Sequence, residues 1–247
     1  MVEPLLYPKL CTYAALKKVD VVLDVGAGFG WLSCFLACKS KGVVAVEKDP
    51  QVASILREQV KGLKNVVVVE GDVLKASLPN FNKTIAIPPY YLSSQLVMWL
   101  LEQKVECAVL ILQKEFVDRL VAPLGSEEYS WLTVVTYQNA EVELLDVVPK
   151  TLFFPQPEVD SAIVSLKPWS KNPFEVKDQP FFVRMMKWLF TQRNKKLGKA
   201  IAPFIRDSFK LSKQDAEKLA FNLPFHDKRT RELTPKNFGA IANALPQ

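Results

Sequence analysis

The chain has 247 residues, 49% of them hydrophobic, which is enough to bury one large domain or a large and a small one. Four cysteines without C-x-x-C spacing and a single histidine leave little material for a zinc site or a Ser-His-Asp triad, so we expect no metal site. No apolar run approaches the ~18 residues of a membrane span, and the start lacks a signal-peptide pattern, so we expect a cytoplasmic protein.

The first predicted elements are a helix over residues 4–18, a buried strand at Val21–Asp24 and an apolar helix at Trp31–Cys38. Three alternate glycines separate the strand from the second helix: Gly26, Gly28 and Gly30. Glycine permits positive φ and lets a ligand approach the backbone closely, while the N-terminus of a helix offers free N–H groups. The turn therefore predicts a nucleotide-like ligand.

The spacing of these glycines narrows the choice of nucleotide. A dinucleotide fingerprint would place its third glycine at Trp31, and no Gly-Lys-Ser/Thr follows as in a P-loop. The pattern that stands is Asp24-x-Gly-x-Gly-x-Gly, which is typical of S-adenosylmethionine-dependent methyltransferases. A glycine turn is weak evidence alone, so its weight depends on residues further along the chain.

Two acids follow the next predicted strands. Glu47 ends the strand that begins at Val43, and a carboxylate at the tip of strand two accepts hydrogen bonds from ribose hydroxyls in nucleotide-binding α/β folds. A helix is predicted from Asp49 to Val60, and Asp72 follows the strand Val66–Val69, where it is suited to an adenine amine. The alternatives are an exposed strand-end charge and a turn acid that bonds its own backbone.

The fourth predicted strand, Thr84–Ile87, runs into Pro88, Pro89 and Tyr90. Prolines have no N–H, so this rigid turn presents carbonyl oxygens without competing donors. The flat ring of Tyr90 beside those acceptors suits a base that is stacked and held by its amine. The alternative is an ordinary proline turn with a core tyrosine.

The remaining elements complete an α/β sheet. Predicted are a strand at Cys107–Gln113, a helix at Lys114–Val121, a hairpin of Thr133–Tyr137 with Glu141–Val148 around Gln138–Ala140, and a last strand at Ser161–Leu166. Parallel strands alternating with helices indicate a doubly wound sheet whose ligands lie at the carboxyl ends of the strands. The glycines, Glu47, Asp72 and the proline turn are all placed there.

The segment Pro168–Pro173 predicts a boundary between two domains, 1–168 and 169–247. Residues 170–247 carry 16 Lys and Arg against 7 Asp and Glu, a net charge of +9, whereas residues 1–169 carry 16 against 19, a net charge of −3. A basic helical domain of this kind suggests a polyanion such as RNA, with a solvated helical face as the alternative. The predicted RNA-binding residues are Arg193, Lys195, Lys196, Lys228 and Arg229.

Several of these motifs resemble the ribosomal RNA adenine dimethyltransferase family, which dimethylates two adjacent adenines of small-subunit rRNA. The similar stretches are Asp24–Gly30, Val46–Pro50, Glu70–Asp72, Leu112–Glu115, Phe153–Ala162 and Phe190–Leu197. The resemblance implies a Rossmann-like, seven-stranded methyltransferase domain with a small helical domain, acting as a monomer on the immature small ribosomal subunit.

The resemblance also implies residue roles. S-adenosylmethionine would be held by Asp24, Gly26, Gly28, Gly30, Glu47, Lys48, Asp72, Val73 and Ile87. Tyr90 and Phe153 would line the target-adenine pocket, with the carbonyl oxygen of Pro88 as an acceptor for the target amine. Ile87 stands where relatives have an asparagine whose side-chain oxygen also accepts from that amine, and the family's N-terminal Gln-x-Phe-Leu segment is not matched.

Three functions follow as hypotheses. The first is an S-adenosylmethionine-dependent rRNA adenine methyltransferase with Ile87, Pro88, Tyr90 and Phe153 at the reacting amine. The second is a methyltransferase-like ribosome-assembly factor with weak or absent catalysis, which Ile87 favours. The third is a methyltransferase for a small amine or a protein, against which the basic second domain argues. We favour the first, because a chain freed from cofactor binding has no physical need for Glu47 and Asp72.

Overall fold

The computed structural model describes residues 3–246, so residues 1, 2 and 247, at the outer ends of the two predicted domains, lie outside the described residues. The chain forms two compact units. The first ends at Asp118 and resumes over Glu141–Pro168, and the second combines Arg119–Ala140 with the chain from Trp169 onward. The predicted first domain therefore contains a segment, Arg119–Ala140, that belongs to the second unit.

The first unit is built on a seven-stranded sheet. Its strands are β1 (Val21–Val25), β2 (Gly42–Glu47), β3 (Val66–Glu70), β4 (Lys83–Ala86), β5 (Cys107–Gln113), β6 (Ala140–Val148) and β7 (Ser161–Pro168). Its helices are α1 (Leu6–Tyr13), α2 (Trp31–Ala37), α3 (Pro50–Val60), α4 (Ser93–Glu102) and α5 (Lys114–Leu120). The strand order is β3-β2-β1-β4-β5-β7-β6, which confirms the predicted seven-stranded α/β class.

Strands β1 to β5 pair in parallel, and β7 pairs antiparallel to β5. The central strands are buried along nearly their whole length, as expected where helices cover both faces of a parallel sheet. In the register of the pairs, Val25 lies beside Val46 and Glu47 beside Glu70. The carboxyl ends of these strands therefore meet at one edge of the sheet.

Helix α1 is anchored to the opposite edge by a buried ammonium group. Lys83 Nζ donates to the carbonyl oxygens of Ala14 (2.9 Å) and Ala15 (2.7 Å) and forms a 3.0 Å ion pair with Asp20. Both charged side chains are at most 5% exposed. A buried charge needs such partners to offset its lost hydration, so this cluster holds the C-terminal end of α1 against β4.

The second unit is helical. Its helices are α6 (Trp131–Asn139), α7 (Gln179–Phe190), α8 (Leu197–Phe209), α9 (Lys213–Asn222) and α10 (Pro235–Ala244). Aromatic contacts join α7 and α10 to the segment that precedes α6: the Tyr129 and Phe190 rings are 5.5 Å apart, and those of Phe190 and Phe238 are 5.7 Å apart. The buried Tyr129 hydroxyl donates to the carbonyl oxygen of Leu233 at 2.9 Å.

The predicted strand Thr133–Tyr137 and its hairpin are wrong, because this segment is helix α6. Ser130 N–H donates to Thr133 Oγ1 (3.1 Å) at the start of the helix, and the Thr136 hydroxyl donates to the carbonyl oxygen of Leu132 (2.7 Å). The β-branched residues favour a strand by propensity, but burial within the second unit outweighs that preference of at most about 1 kcal/mol per residue.

Within residues 3–246, no helix has both the length and the hydropathy needed to cross a membrane.

Candidate active site

The glycine turn after β1 has the left-handed backbone that the sequence predicts. Gly26, Gly28 and Gly30 have φ of +68°, +57° and +89°. A Cβ on Gly26 would lie 2.7 Å from Pro89 Cδ, and one on Gly30 would lie 2.6 Å from Leu56 Cδ1. Gly28 differs, since the nearest atom to its Cβ position is 3.9 Å away. Gly26 and Gly30 thus permit close internal packing, whereas Gly28 leaves its backbone open to a ligand.

Glu47, at the end of β2, is held by backbone amides. Its Oε2 accepts from Gly28 N–H at 2.9 Å, and its Oε1 accepts from Asp49 N–H at 3.0 Å. Each oxygen keeps lone-pair capacity for a further donor, because a carboxylate accepts about four hydrogen bonds. The tip of β2 is therefore tied to the glycine turn and presents an oriented acceptor.

Asp72, beyond β3, is also a fixed carboxylate. It accepts from Leu74 N–H (3.1 Å) and forms an ion pair with Lys48 Nζ (3.2 Å). The Leu74 hydrogen bond and the Lys48 ammonium hold the pKa of Asp72 below its usual value, so the group is ionised at neutral pH. Asp72 and Lys48 line a small space of about 80 Å³ together with Gly26, Glu47 and Val73, and we call this space the polar recess.

A second space of about 430 Å³ also borders the glycine turn, and we call it the aromatic cavity. Its aromatic lining residues are Tyr7, Phe29, Trp31, Phe153 and Phe154, and its other lining residues include Asp24, Gly26, Gly28 and Ile87. The volume lies within the usual range for small-molecule sites. Gly26 borders both the polar recess and the aromatic cavity.

Asp24 is the acid of this cavity, and it is buried. Its Oδ2 accepts from the Ser33 hydroxyl at 2.6 Å. Burial raises the pKa of Asp24 to about 7; the Ser33 hydrogen bond acts in the opposite direction, and the nearby Glu47 charge adds to the rise. The burial of Tyr7 itself, together with the Asp24 charge, raises the pKa of Tyr7 to about 12. Tyr7 is therefore a neutral phenol in the cavity wall.

The family of the chain follows from comparisons with known proteins. The model of the ribosomal RNA adenine dimethylase family matches residues 1–230. The chain belongs to that family. As in other rRNA adenine dimethylases, the cofactor is S-adenosylmethionine, so the predicted family, enzyme class and cofactor are confirmed.

Individual relatives agree with this assignment. A protein of Methanosarcina acetivorans named a probable ribosomal RNA small subunit methyltransferase A is 39% identical over 239 residues, 96% of this chain and 87% of its own length. A ribosomal RNA small subunit methyltransferase A of Halothermothrix orenii is 31% identical and covers 99% of this chain and 85% of its own.

Solved structures show the same fold over both units. A dimethyladenosine transferase from Plasmodium falciparum has a TM-score of 0.82 and 26% identity, covering 98% of this chain and 95% of its own. The 23S rRNA methyltransferase ErmE has a TM-score of 0.70 and 25% identity, covering 99% of this chain and 98% of its own.

In this adenine dimethylase family member, the turn after β4 packs against the glycine turn. Pro88 is buried, and its Cα lies 3.6 Å from the position of a Cβ on Gly26. Ile87 is half-buried in the wall of the aromatic cavity together with Phe153. Tyr90 makes a 2.6 Å hydrogen bond with Ser161 Oγ, and among the described residues it lines neither the polar recess nor the aromatic cavity.

Of the five aromatic residues that line the cavity, four were missing from the sequence prediction: Tyr7, Phe29, Trp31 and Phe154. Phe29 and Trp31 flank Gly30, the last glycine of the motif, and both are 48% exposed. An apolar residue on each side of the third glycine was the available signal. Tyr7 carried no local signal, because only the packing of α1 brings it to the cavity.

The predicted RNA-binding cations of the dimethylase divide into two groups. Arg193 donates to the carbonyl oxygens of Ser126 (2.7 Å) and Glu127 (2.5 Å), and Arg229 donates to that of Asn194. These guanidinium groups brace loops. Lys195 bonds Gln192 Oε1 at 2.8 Å, Lys228 lies 5.6 Å from the Phe225 ring centre, and both are exposed together with Lys196.

Proposed function

We propose that this chain transfers methyl groups from S-adenosylmethionine to the exocyclic amines of adjacent adenines in small-subunit rRNA, acting on the immature small ribosomal subunit. The observation that carries the proposal is the position of Gly26, which borders both the polar recess and the aromatic cavity. A site for a nucleoside cofactor and an apolar space for a base thus share one backbone segment. Both spaces are lined by one chain, so a monomer suffices.

The residues of the polar recess fit a nucleoside. Glu47 would accept from the ribose hydroxyls, because its two oxygens are oriented by backbone amides and keep free lone pairs. Ionised Asp72 would accept from the adenine amine, with Val73 beside the ring and Lys48 holding the carboxylate. The open backbone at Gly28 allows the close approach that the rest of the molecule needs. The buried acid Asp24 suits a cationic group of the cofactor.

When bound, S-adenosylmethionine supplies a methyl group on a positively charged sulfur. An adenine amine is a poor nucleophile because its lone pair is delocalised into the ring. A carbonyl acceptor helps to free that lone pair, and we assign this task to Pro88, whose turn has no competing N–H. Phe153 would stack on the extruded base, and the apolar walls around Ile87 would exclude water. Tyr90 would orient the turn through its Ser161 hydrogen bond.

The second unit is proposed as the RNA-binding domain. The exposed ammonium groups of Lys195, Lys196 and Lys228 are the proposed phosphate contacts, whereas Arg193 and Arg229 hold the loops that present them. Phosphate contacts of this kind position an RNA without reading its sequence.

The deciding experiment is methyl transfer from labelled S-adenosylmethionine to immature small ribosomal subunits that lack the adenine dimethylation. The RNA is then digested and its nucleosides are separated. Labelled dimethyladenosine at two adjacent positions is the expected result. Mature, already methylated subunits are the matched control and take up no label.

A second candidate function is a ribosome-assembly factor with little catalysis, and the observation that favours it is Ile87. Its aliphatic side chain lies in the cavity wall and offers no hydrogen-bond acceptor. The same assay separates the two functions. Binding of both S-adenosylmethionine and immature subunits without label in the RNA would reject the methyltransferase and leave the assembly factor.

A further inference from the structure

A groove between α8 and α9 in the second unit combines an aromatic ring with clustered charge. It has a volume of about 380 Å³, and we call it the α8–α9 groove. Its lining residues are Gly198, Lys199, Ala202, Pro203, Arg206, Lys213, Ala216, Glu217 and Phe221. The predicted RNA-binding residues are not among these, and neither the polar recess nor the aromatic cavity shares a residue with the groove.

Phe221 forms a rigid aromatic platform in this groove. A Cβ on Gly198 would lie 3.1 Å from two atoms of the Phe221 ring, so the ring packs directly on the α8 backbone. The His226 ring meets it nearly edge-on, with 6.1 Å between centres. Phe221 is nevertheless 46% exposed. A large ring fixed on one side and open on the other suits the stacking of a flat group.

The charges around the platform are suited to an anion. Lys199, Arg206 and Lys213 are exposed, and Glu217 is the one acid among the described residues that line the groove. Arg206 pairs with its neighbour Asp207 at 2.9 Å and keeps further guanidinium donors. The lining thus carries a net positive charge around an aromatic ring, which is the composition of sites for single-stranded nucleic acid.

The groove lining also includes a backbone carbonyl that lacks its usual helical donor. Pro203 lies inside α8 and has no N–H to donate to the carbonyl oxygen of Lys199, four residues earlier. Both residues line the groove. A carbonyl oxygen without its helical donor is suited to accept from a base amine.

We propose that the α8–α9 groove binds an unpaired nucleotide of the RNA, with the base stacked on Phe221 and the flanking phosphates on Lys199 and Lys213. The choice of RNA as the partner rests on the proposed function. The groove would add a second contact to single-stranded RNA, apart from the methylation site. The apolar floor at Ala202 and Ala216 is compatible with a protein segment as well, but the charge favours the nucleotide.

The test measures binding of the full chain to a fluorescein-labelled, single-stranded RNA 12-mer of mixed sequence at several salt concentrations. Lys199→Gln with Lys213→Gln should weaken binding and reduce the slope of log affinity against log salt by about 1.4, which is about 0.7 for each lost phosphate contact. Lys171→Gln with Lys236→Gln removes the same charge from exposed positions of the same unit outside the groove and is the matched control.

Stacking is tested at Phe221. Phe221→Leu should lower the affinity for the 12-mer roughly 5-fold to 100-fold, while Phe221→Tyr, which keeps the ring, should bind like the parent. Unchanged thermal unfolding of both variants would show that the packing against Gly198 survives. If Phe221→Leu lowers the unfolding temperature, the comparison of the lysine variants with their control decides the question, because the replaced lysine side chains are exposed.

The proposal is overturned if the groove variants bind the 12-mer like their controls. It is also overturned if the only binding that the variants lose is binding to ribosomal proteins that have been stripped of RNA. This outcome is separate from the proposed function, because binding is measured without methyl transfer. A parent protein that methylates adenines while every groove variant keeps RNA affinity refutes the groove alone. A parent that methylates nothing while the groove variants lose RNA refutes the methyltransferase alone.

Discussion

The polar recess and the aromatic cavity meet at Gly26 but are built on different principles. The recess holds two carboxylates, Glu47 and Asp72, each fixed by a backbone amide within 3.1 Å. The cavity is walled by rings and by Ile87, with one buried acid, Asp24, among its described lining residues. Directional hydrogen bonds discriminate strongly between ligands, whereas apolar walls tolerate changes of shape. Substitutions in the two spaces should therefore have separable effects.

The largest effect is expected where the spaces meet. Gly26→Ala puts a methyl group 2.7 Å from Pro89 Cδ at a φ of +68°, so the turn must move. We expect S-adenosylmethionine affinity to fall at least about 100-fold, because a left-handed alanine alone costs about 1–2 kcal/mol before the clash is counted. Isothermal titration calorimetry measures it. Gly62→Ala is the control, since apart from its chain neighbours no atom lies within 4 Å of its Cβ position.

In the polar recess, Glu47→Gln should weaken cofactor binding about 10-fold to 100-fold. The glutamine amide has no charge, and its N–H would face the N–H of Gly28 or Asp49, which now donates to the carboxylate. A hydrogen bond to a charged group contributes about 1.5–3 kcal/mol. Calorimetry with S-adenosylhomocysteine measures the change. Glu70→Gln, at the paired position on β3, removes an acid that faces Arg57 and should change the affinity less than twofold. Equal losses in both variants would contradict the assignment of Glu47.

In the aromatic cavity, Phe153→Ala should impair methyl transfer to the RNA and leave cofactor binding nearly unchanged. Loss of base stacking should lower kcat/KM for immature subunits about 5-fold to 100-fold and leave the cofactor Kd within twofold. Steady-state methyl transfer with calorimetry on the same preparation measures both quantities. Val159→Ala, in the same loop but outside the cavity lining, is the control. A raised cofactor Kd in the Phe153 variant would mean that the two spaces are not separable.

Asp24 should make the stability of the ligand-free protein depend on pH. Its folded-state pKa of about 7 lies above that of an unfolded chain, so the native state holds a proton that the unfolded chain releases. The free energy of unfolding should therefore fall by up to a few kcal/mol between about pH 4 and pH 7. Asp24→Asn should remove this fall, as urea unfolding at pH 5 and pH 8 would show. The exposed Asp207→Asn should keep it.

The smallest effect is expected at Ile87. Ile87→Asn adds a side-chain acceptor to the cavity wall, and one hydrogen bond of about 1 kcal/mol should raise the methylation rate about 5-fold. Single-turnover methyl transfer measures it, with Ile87→Leu as the control of similar volume. An unchanged or lower rate would show that the cavity wall around Ile87 is arranged differently from that of relatives with asparagine.

Much of the first unit was predictable because its signals are local. The valine-rich strands β1 to β3, the N-cap Asp49 and the glycine turn each follow from a few neighbouring residues. Parallel strands place their carboxyl ends at one edge, so the proximity of Glu47, Asp72 and Gly26 followed as well. The prediction failed at α6, where burial in the second unit outweighs the strand propensity of its threonines and valines.

The fold class, the family and the residues whose backbone must bend could all be inferred from the order of the amino acids, because periodicity, capping and glycine are properties of short segments. Three further facts emerge from the packing of the folded chain: Arg119–Ala140 joins the second unit, Tyr7 lines the aromatic cavity, and Arg193 and Arg229 brace loops. These facts depend on which distant residues share a buried space. A side chain's partners across more than 60 residues, such as Arg193 with Ser126, leave no mark on the sequence around either one.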